Sequence, residues 1–322
     1  MQNADNPLLH VKNMEVTFSN TEGLLYAVDD VSWELHSGEV IGLVGESGCG
    51  KSVSALTLAG LLEIDGLKTK GEALFEGKNL LNLNFQEMSK IRGTQIGFVF
   101  QDPMSSLNPM LPIWKQISEV AVYHKIIPRS EAKNFAIEWM KKVGIQDAHL
   151  RCSDFPHQFS GGMRQRVVIA MAMSCHPKLL ICDEPTTALD VTVEKQIMDL
   201  ILQMRDEHNI GILLITHNLA MALNRCDRLL VMHGGMIMEQ GSAYDILRRP
   251  MHNYTQHLFN TNLAVGRSEQ IVKSAENFRQ GCLYISHEDT EYTWASRNQI
   301  QQVPGEQGHF VNQYRNNQSG IA

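Results

Sequence analysis

The chain has 322 residues, 43% of them apolar and 20% charged, a globular balance rather than a fibrous or disordered one. A chain of this length buries about three quarters of its unfolded surface, so it needs no disulfide or metal to hold a core. Its formal charge of −7 argues against a general binder of nucleic acid or anionic lipid working through bulk charge.

Six cysteines, Cys49, Cys152, Cys175, Cys182, Cys226 and Cys282, include no Cys-x-x-Cys pair and no metal-ligand spacing, so they read as thiols in a reducing compartment. The first residues carry neither the basic nor the apolar region of a secretory signal. No apolar run approaches the ~20 residues that span a bilayer. A cytosolic protein is the expectation, with docking on a membrane protein still open.

In chain order, Val40-Ile41-Gly42-Leu43-Val44 is a short buried-strand run that ends in glycines, and residues 51–62 read as a helix rich in Ala and Leu. Between them lies Gly45-Glu46-Ser47-Gly48-Cys49-Gly50-Lys51-Ser52, the G-x-x-x-x-G-K-[ST] pattern. Its glycines let successive N–H groups converge on phosphate oxygens, Lys51 brings charge to the β/γ-phosphates, and Ser52 offers a hydroxyl to Mg²⁺. A strand before the pattern and a helix after it are the context that the mechanism demands. Residues 96–100 form the next strand run. Residues 113–143 hold two amphipathic patterns broken by Pro128, a helical insertion.

Phe159-Ser160-Gly161-Gly162-Met163-Arg164-Gln165-Arg166 runs into an apolar helix over 167–173, with Ser160 as N-cap and a second anion site at the helix start. One chain has little use for two such phosphate-gripping ends, whereas two facing copies do. Arg164 and Arg166 read equally as a solvated helix face or as contacts to nucleotide or partner. Leu179-Leu180-Ile181-Cys182 then delivers Asp183 and Glu184 at a strand end. Adjacent acids there either cap the next helix or serve as a Mg²⁺ ligand and the group that orients or deprotonates a water. A helix is expected over 191–205, with Ile197, Leu200, Ile201 and Met204 on one face, and strands over 212–215 and 229–232. Strands alternating with helices imply an α/β fold whose parallel sheet is covered on both sides. From about 262 the chain turns rich in Asn and Gln, a composition that buries little apolar surface and predicts a loosely packed or disordered tail.

The phosphate loop, the Ser-Gly-Gly segment and the Asp-Glu strand occur in the order of one family, and the chain resembles the ATP-binding subunit of an ABC transporter. The resemblance covers roughly residues 8–258. It implies a P-loop NTPase core of the ABC ATPase type, an antiparallel β part before Val40, a helical subdomain over about 102–175, and a C-terminal extension over 259–322. It also implies ATP and Mg²⁺ as cofactors and a set of roles. Gly45, Glu46, Ser47, Gly48, Cys49, Gly50, Lys51, Ser52 and Val53 would cradle the nucleotide. Phe18 would stack on adenine, although Tyr26 lies nearby. Gln101 matches the Q-loop glutamine, placed with Ser52 and Asp183 around the metal. Glu184, His217 and Lys51 would act on the phosphoryl group, Ser160, Gly161 and Gly162 form the signature, and Asp190 closes the Ala188-Leu189-Asp190 D-loop.

Gln101-Asp102-Pro103-Met104-Ser105-Ser106-Leu107-Asn108-Pro109 is similar to the Q-loop extension of the oligopeptide, dipeptide and nickel importers. Lys51-Ser52-Val53 and Met163 in the signature resemble the first, D-like, of the two ATPase subunits that such importers pair. The implied partners are a second ATPase subunit in a heterodimer, two transmembrane permease subunits and, indirectly, an extracytoplasmic solute-binding protein, with no nucleic acid. The implied place is the cytoplasmic face of the inner membrane, and the implied work is powering peptide import. Nickel or another small solute, or a cytosolic ABC ATPase outside transport, are the alternatives. Pro250-Met251-His252-Asn253-Tyr254-Thr255 resembles the branch's segment after the core, but Cys282 alone follows Cys226, too few thiolates for the iron–sulfur cluster of some relatives.

Overall fold

The computed structural model describes residues 6–20, 23–187, 189–263, 283–286, 299–302 and 310–313. The N-terminal half begins with strands β1 (Leu9–Asn20), β2 (Gly23–Leu35) and β3 (Val40–Val44), then helix α1 (Lys51–Leu58) and strands β4 (Leu67–Phe75) and β5 (Lys78–Asn79). Helix α2 (Phe85–Ile91), strand β6 (Ile96–Val99) and helices α3 (Pro103–Ser106), α4 (Ile113–Tyr123), α5 (Ala132–Lys142), α6 (Ala148–Arg151) and α7 (Gly161–Met173) follow. Next come β7 (Leu179–Asp183), α8 (Val191–His208), β8 (Gly211–Thr216), α9 (Leu219–Arg225), β9 (Arg228–His233), β10 (Met236–Ser242), α10 (Ala243–Arg248) and α11 (Asn253–Leu263). Three short strands close the described chain: β11 (Leu283–Ser286), β12 (Gln299–Gln302) and β13 (Phe310–Gln313). The residues divide into two compact units: Met1–Leu9 with Glu34–Val40 and Phe75–Ile215, and His10–Trp33 with Ile41–Leu74 and Thr216–Ala322.

In the first unit, β7 lies between β6 and β8, and all three run parallel, in register from Ile96↔Leu179 to Val99↔Cys182 and from Leu179↔Gly211 to Asp183↔Ile215. Every residue of β7 and β8 is buried, which is why their sequences are unbroken apolar runs instead of alternating ones. Gln101 and the Asp183-Glu184 pair stand at the carboxyl ends of β6 and β7, the edge where parallel sheets place their chemistry. The helices α4, α5 and α7 pack on one another. Ile113, Ile117 and Ala121 on α4 and Ala132, Ala136, Trp139 and Met140 on α5 supply the buried stripes, each spaced three or four residues apart as a helix face requires.

In the second unit, β3 runs parallel to β9 from Ile41↔Arg228 to Val44↔Val231. A tight turn through Gly234 and Gly235 returns the chain antiparallel as β10, with a register shift between Ile237 and Glu239. Strand β13 adds to β10 at Glu239↔Val311 and Gln240↔Phe310, and β12 pairs with β13. A separate sheet orders β11, β2, β1 and β4 side by side, with β11 antiparallel to β2 from Leu283↔Tyr26 to Ser286↔Gly23.

Several boundaries differ from the sequence expectation. Helix α1 stops at Leu58 and not at 62, because Gly60 takes a φ of 60° and the Leu61 N–H reaches back to the Leu56 carbonyl, a left-handed helix stop. Helix α7 starts at Gly161 behind its Ser160 cap, whereas α8 runs past 205 to His208, ending on Asn209 at φ 53°. Strands β4 and β10 and helix α2 have no counterpart in the sequence reading. Among the described residues no helix is long and apolar enough to cross a membrane. The expected looseness of 259–322 concerns residues that, apart from 259–263 and the three short strands, lie outside the described ones, as do Cys282 and Ala188 of the D-loop.

Candidate functional site

The phosphate-loop pattern sits in the second unit, between β3 and α1 as the sequence predicts. The loop leaves β3 at Gly45, whose φ is 155° and where a Cβ would lie 2.1 Å from the Met232 carbonyl oxygen. It enters α1 through Gly50, at φ 107° and with 2.2 Å between its would-be Cβ and the Ala27 carbonyl oxygen. Only glycine fits either place. The loop is thus pressed against β9 at one end and β2 at the other, and the Gly235 N–H donates to the Cys49 carbonyl at 3.0 Å.

Lys51 is 5% exposed. Its Nζ donates to the carbonyls of Gly45 at 2.9 Å and Glu46 at 2.7 Å, and approaches Cys49 Sγ at 3.6 Å. The ammonium is therefore held inside the loop, at the mouth of which Ser47, Gly48 and Ser52 are exposed. Cys49 is a buried thiol whose pKa burial pushes up against the pull of Lys51, so it stays protonated and packs rather than reacts. Phe18 is half-buried on β1, Tyr26 half-buried on β2, and His217 is exposed just after β8 in the same unit. The turn after His217 is built by Asn218, whose N–H donates to Thr216 Oγ1 at 2.9 Å and whose side chain caps α9 by accepting from Met221 N at 3.0 Å.

The carboxylates belong to the first unit. Asp183 ends β7 and is 7% exposed. Glu184 takes a φ of 48°, a left-handed conformation that costs a non-glycine residue free energy. Its N–H is anchored on the Ile215 carbonyl at 2.9 Å, and its Oε2 accepts from Gln101 Nε2 at 3.0 Å and Thr187 Oγ1 at 2.8 Å. The structure thus brings Gln101 and Glu184, the expected base, into direct contact. Thr187 was not singled out in the sequence; its place three residues after an acid at a strand end was the available signal.

Helix α7 starts at the two glycines that follow Ser160. Ser160 caps α7 by accepting from Met163 N at 3.4 Å, and Asp190 caps α8 by accepting from Val193 N at 2.9 Å. Arg164 and Arg166 meet neither expectation in full. Arg164 Nε donates to the Pro156 carbonyl at 2.7 Å, and Arg166 donates to the Val143 carbonyl at 2.6 Å and to Gln196 Oε1 at 3.2 Å. These arginines tie α7 to its own neighbours and leave the helix start to Ser160 and the two glycines.

The residues fit a nucleotide and its cation by their chemistry. Gly45 and Gly50 form a cradle that side chains would fill, and Ser52, Gln101 and Asp183 are oxygen donors suited to a hard divalent ion. Among the described residues no group of three or more His, Cys, Asp or Glu side chains would hold a metal.

A family model described as ABC transporter matches residues 28–187. The chain is 48% identical over 259 residues to the oligopeptide transport ATP-binding protein OppD of Escherichia coli (strain K12), covering 80% of this chain and 76% of that protein. It is 42% identical over 283 residues to the dipeptide transport ATP-binding protein DppD of Haemophilus influenzae, covering 86% of each. Among solved structures it is similar to the dimeric post-hydrolysis state of the ATP-binding cassette MJ0796 bound to ADP and Pi, with 26% identity, 73% of this chain and 98% of that one covered, and a TM-score of 0.65. The cbiO1 cassette from Clostridium perfringens gives the same TM-score at 28% identity, over 80% and 96% of the two chains. A buried lysine inside a glycine cradle and relatives at nearly half identity over most of the sequence lead to one family, and the chain belongs to the ABC transporter ATP-binding proteins as an ATPase of α/β fold.

Proposed function

We propose that the chain is the ATP-hydrolysing subunit that powers peptide import through a membrane ABC transporter of the oligopeptide/dipeptide class. The observation that carries this reading is the 48% and 42% identity to oligopeptide and dipeptide transport ATP-binding proteins over most of the chain. In this proposal residues 8–258 are the ATPase domain, with the helical subdomain over about 102–175, and 259–322 form an extension.

Residues 45–53 take the phosphates of ATP and Phe18 stacks on the adenine. Lys51 exchanges the Gly45 and Glu46 carbonyls for phosphate oxygens and neutralises charge on the transferring group. Glu184 accepts a proton from the attacking water, held in orientation by Gln101 and Thr187, and His217 donates to the γ-phosphate. Ser52, Gln101 and Asp183 would hold Mg²⁺, whose chemistry is to draw negative charge from the β/γ-phosphate oxygens. Ser160, Gly161, Gly162 and Asp190 close on the nucleotide of a second ATPase subunit, so that each catalytic site draws on two chains. Two transmembrane permeases at the cytoplasmic face of the inner membrane, fed by an extracytoplasmic binding protein, receive the motion through the Gln101 loop and the helical subdomain.

The test is ATP hydrolysis by the complex reconstituted with its permeases and partner ATPase. Hydrolysis that rises when peptide-loaded binding protein is added supports the reading; a complex stimulated by nickel-loaded protein and not by peptide overturns the assigned cargo.

A further inference from the structure

The segment that follows β10 returns to the phosphate loop within the second unit. Tyr254, at the start of α11, is 1% exposed, and its hydroxyl oxygen accepts a hydrogen bond from the Glu46 N–H at 3.3 Å. Its ring lies on the imidazole of His233, centroids 4.2 Å apart, at the end of the strand whose Met232 carbonyl abuts Gly45. Burial pushes the phenol pKa well up, so the hydroxyl stays neutral.

Tyr254 is in turn held from β10. Glu239 is 1% exposed, and its carboxylate accepts from the N–H groups of Met251 and His252, both at 3.0 Å. His252 Nδ1 then accepts from Tyr254 N at 3.1 Å. Glu239 is also where the extension joins the sheet, through the Glu239↔Val311 pair with β13. A buried carboxylate bound to two backbone donors fixes a turn far more firmly than an exposed polar contact, because each donor or acceptor left bare in the interior costs its full desolvation.

We propose that Tyr254 is a positioning residue for nucleotide binding, holding the backbone of the phosphate loop at Glu46, and that Glu239 sets Tyr254 in place, so that the segment after the core tunes the affinity of the loop for ATP. The inference rests on the ATPase reading of this loop. Glu46 follows Gly45, and Lys51 Nζ donates to both carbonyls; a slack Glu46 amide lets those carbonyls follow the ammonium and compete for it with phosphate oxygens.

Tyr254→Phe keeps the ring on His233 and removes only the hydroxyl. In the assembled complex its KM for ATP rises about three- to tenfold, the span of one hydrogen bond, while kcat stays within about twofold and the thermal midpoint without nucleotide falls by only about 2–4 °C. Glu239→Gln raises KM in the same direction. Because Glu239 acts through Tyr254, the double variant has the KM of Tyr254→Phe alone, not the product of the two effects. A wild-type KM for Tyr254→Phe overturns the proposal, and multiplying effects overturn the role of Glu239. Binding of a fluorescent ATP analogue to the full wild-type chain separates the two readings: no binding there sinks the ATPase reading, whereas binding unchanged in Tyr254→Phe sinks this inference alone.

Discussion

Glu184 combines three features at one residue: a left-handed backbone, an amide tied to β8, and a carboxylate oxygen gripped by Gln101 and Thr187. Two donors fix the carboxylate in place, the preorganisation that the proposed base requires. Glu184→Gln keeps an oxygen for both donors while removing basicity. Hydrolysis should fall by ~10²- to 10⁴-fold with ATP binding retained, as read by phosphate release and analogue binding; a native rate would show another residue to be the base. At Gly50 the constraint is steric. Gly50→Ala brings a methyl to 2.2 Å from the Ala27 carbonyl at φ 107°, so the variant should lose about 1–3 kcal/mol of stability and bind ATP more weakly, checked by thermal melting and titration.

Among the elements, those that the sequence marks most clearly are the ones whose local signals and burial agree. Strands β7 and β8 are apolar throughout because both faces are covered. Strand β10 escapes notice because Glu239 and Gln240 interrupt its apolar run, although Glu239 is buried and satisfied by the backbone of 251 and 252. Helix α2 is short and has a complete capping box, in which Asn84 and Glu87 exchange backbone-to-side-chain bonds of 3.0 Å each. Asn84→Ala should cost about 0.5–2 kcal/mol and leave ATP hydrolysis unchanged, since α2 carries none of the proposed catalytic groups; chemical denaturation beside a steady-state assay measures both.

For the whole molecule, three histidines give acid sensitivity a direction. Burial lowers the pKa of His176, His233 and His252, aided at His176 by the charges of His208 and Lys142 and opposed at His233 by Glu46 and at His252 by Glu239. The unfolded chain therefore binds more protons than the folded one around and below the ordinary histidine value of 6.5. Their contribution to stability is whole above that value and is lost as pH falls through it. Thermal midpoints taken from pH 7.5 downward should drop, and replacing His176 with Asn should flatten the decline.

Motif order, the parallel strands and the family could be read from the residues alone, because a phosphate loop needs fixed glycines and a lysine at fixed spacing, and covered strands must be apolar. What those residues touch was decided by tertiary structure. The bond from Gln101 to Glu184 spans 83 positions and that from Glu46 to Tyr254 spans 208. Arg166 likewise finds the Val143 carbonyl 23 residues away. Local patterning determines which elements form, since it acts within a turn or a strand; the partners of a buried polar group are chosen by where the packed elements bring their donors and acceptors, which no single segment specifies.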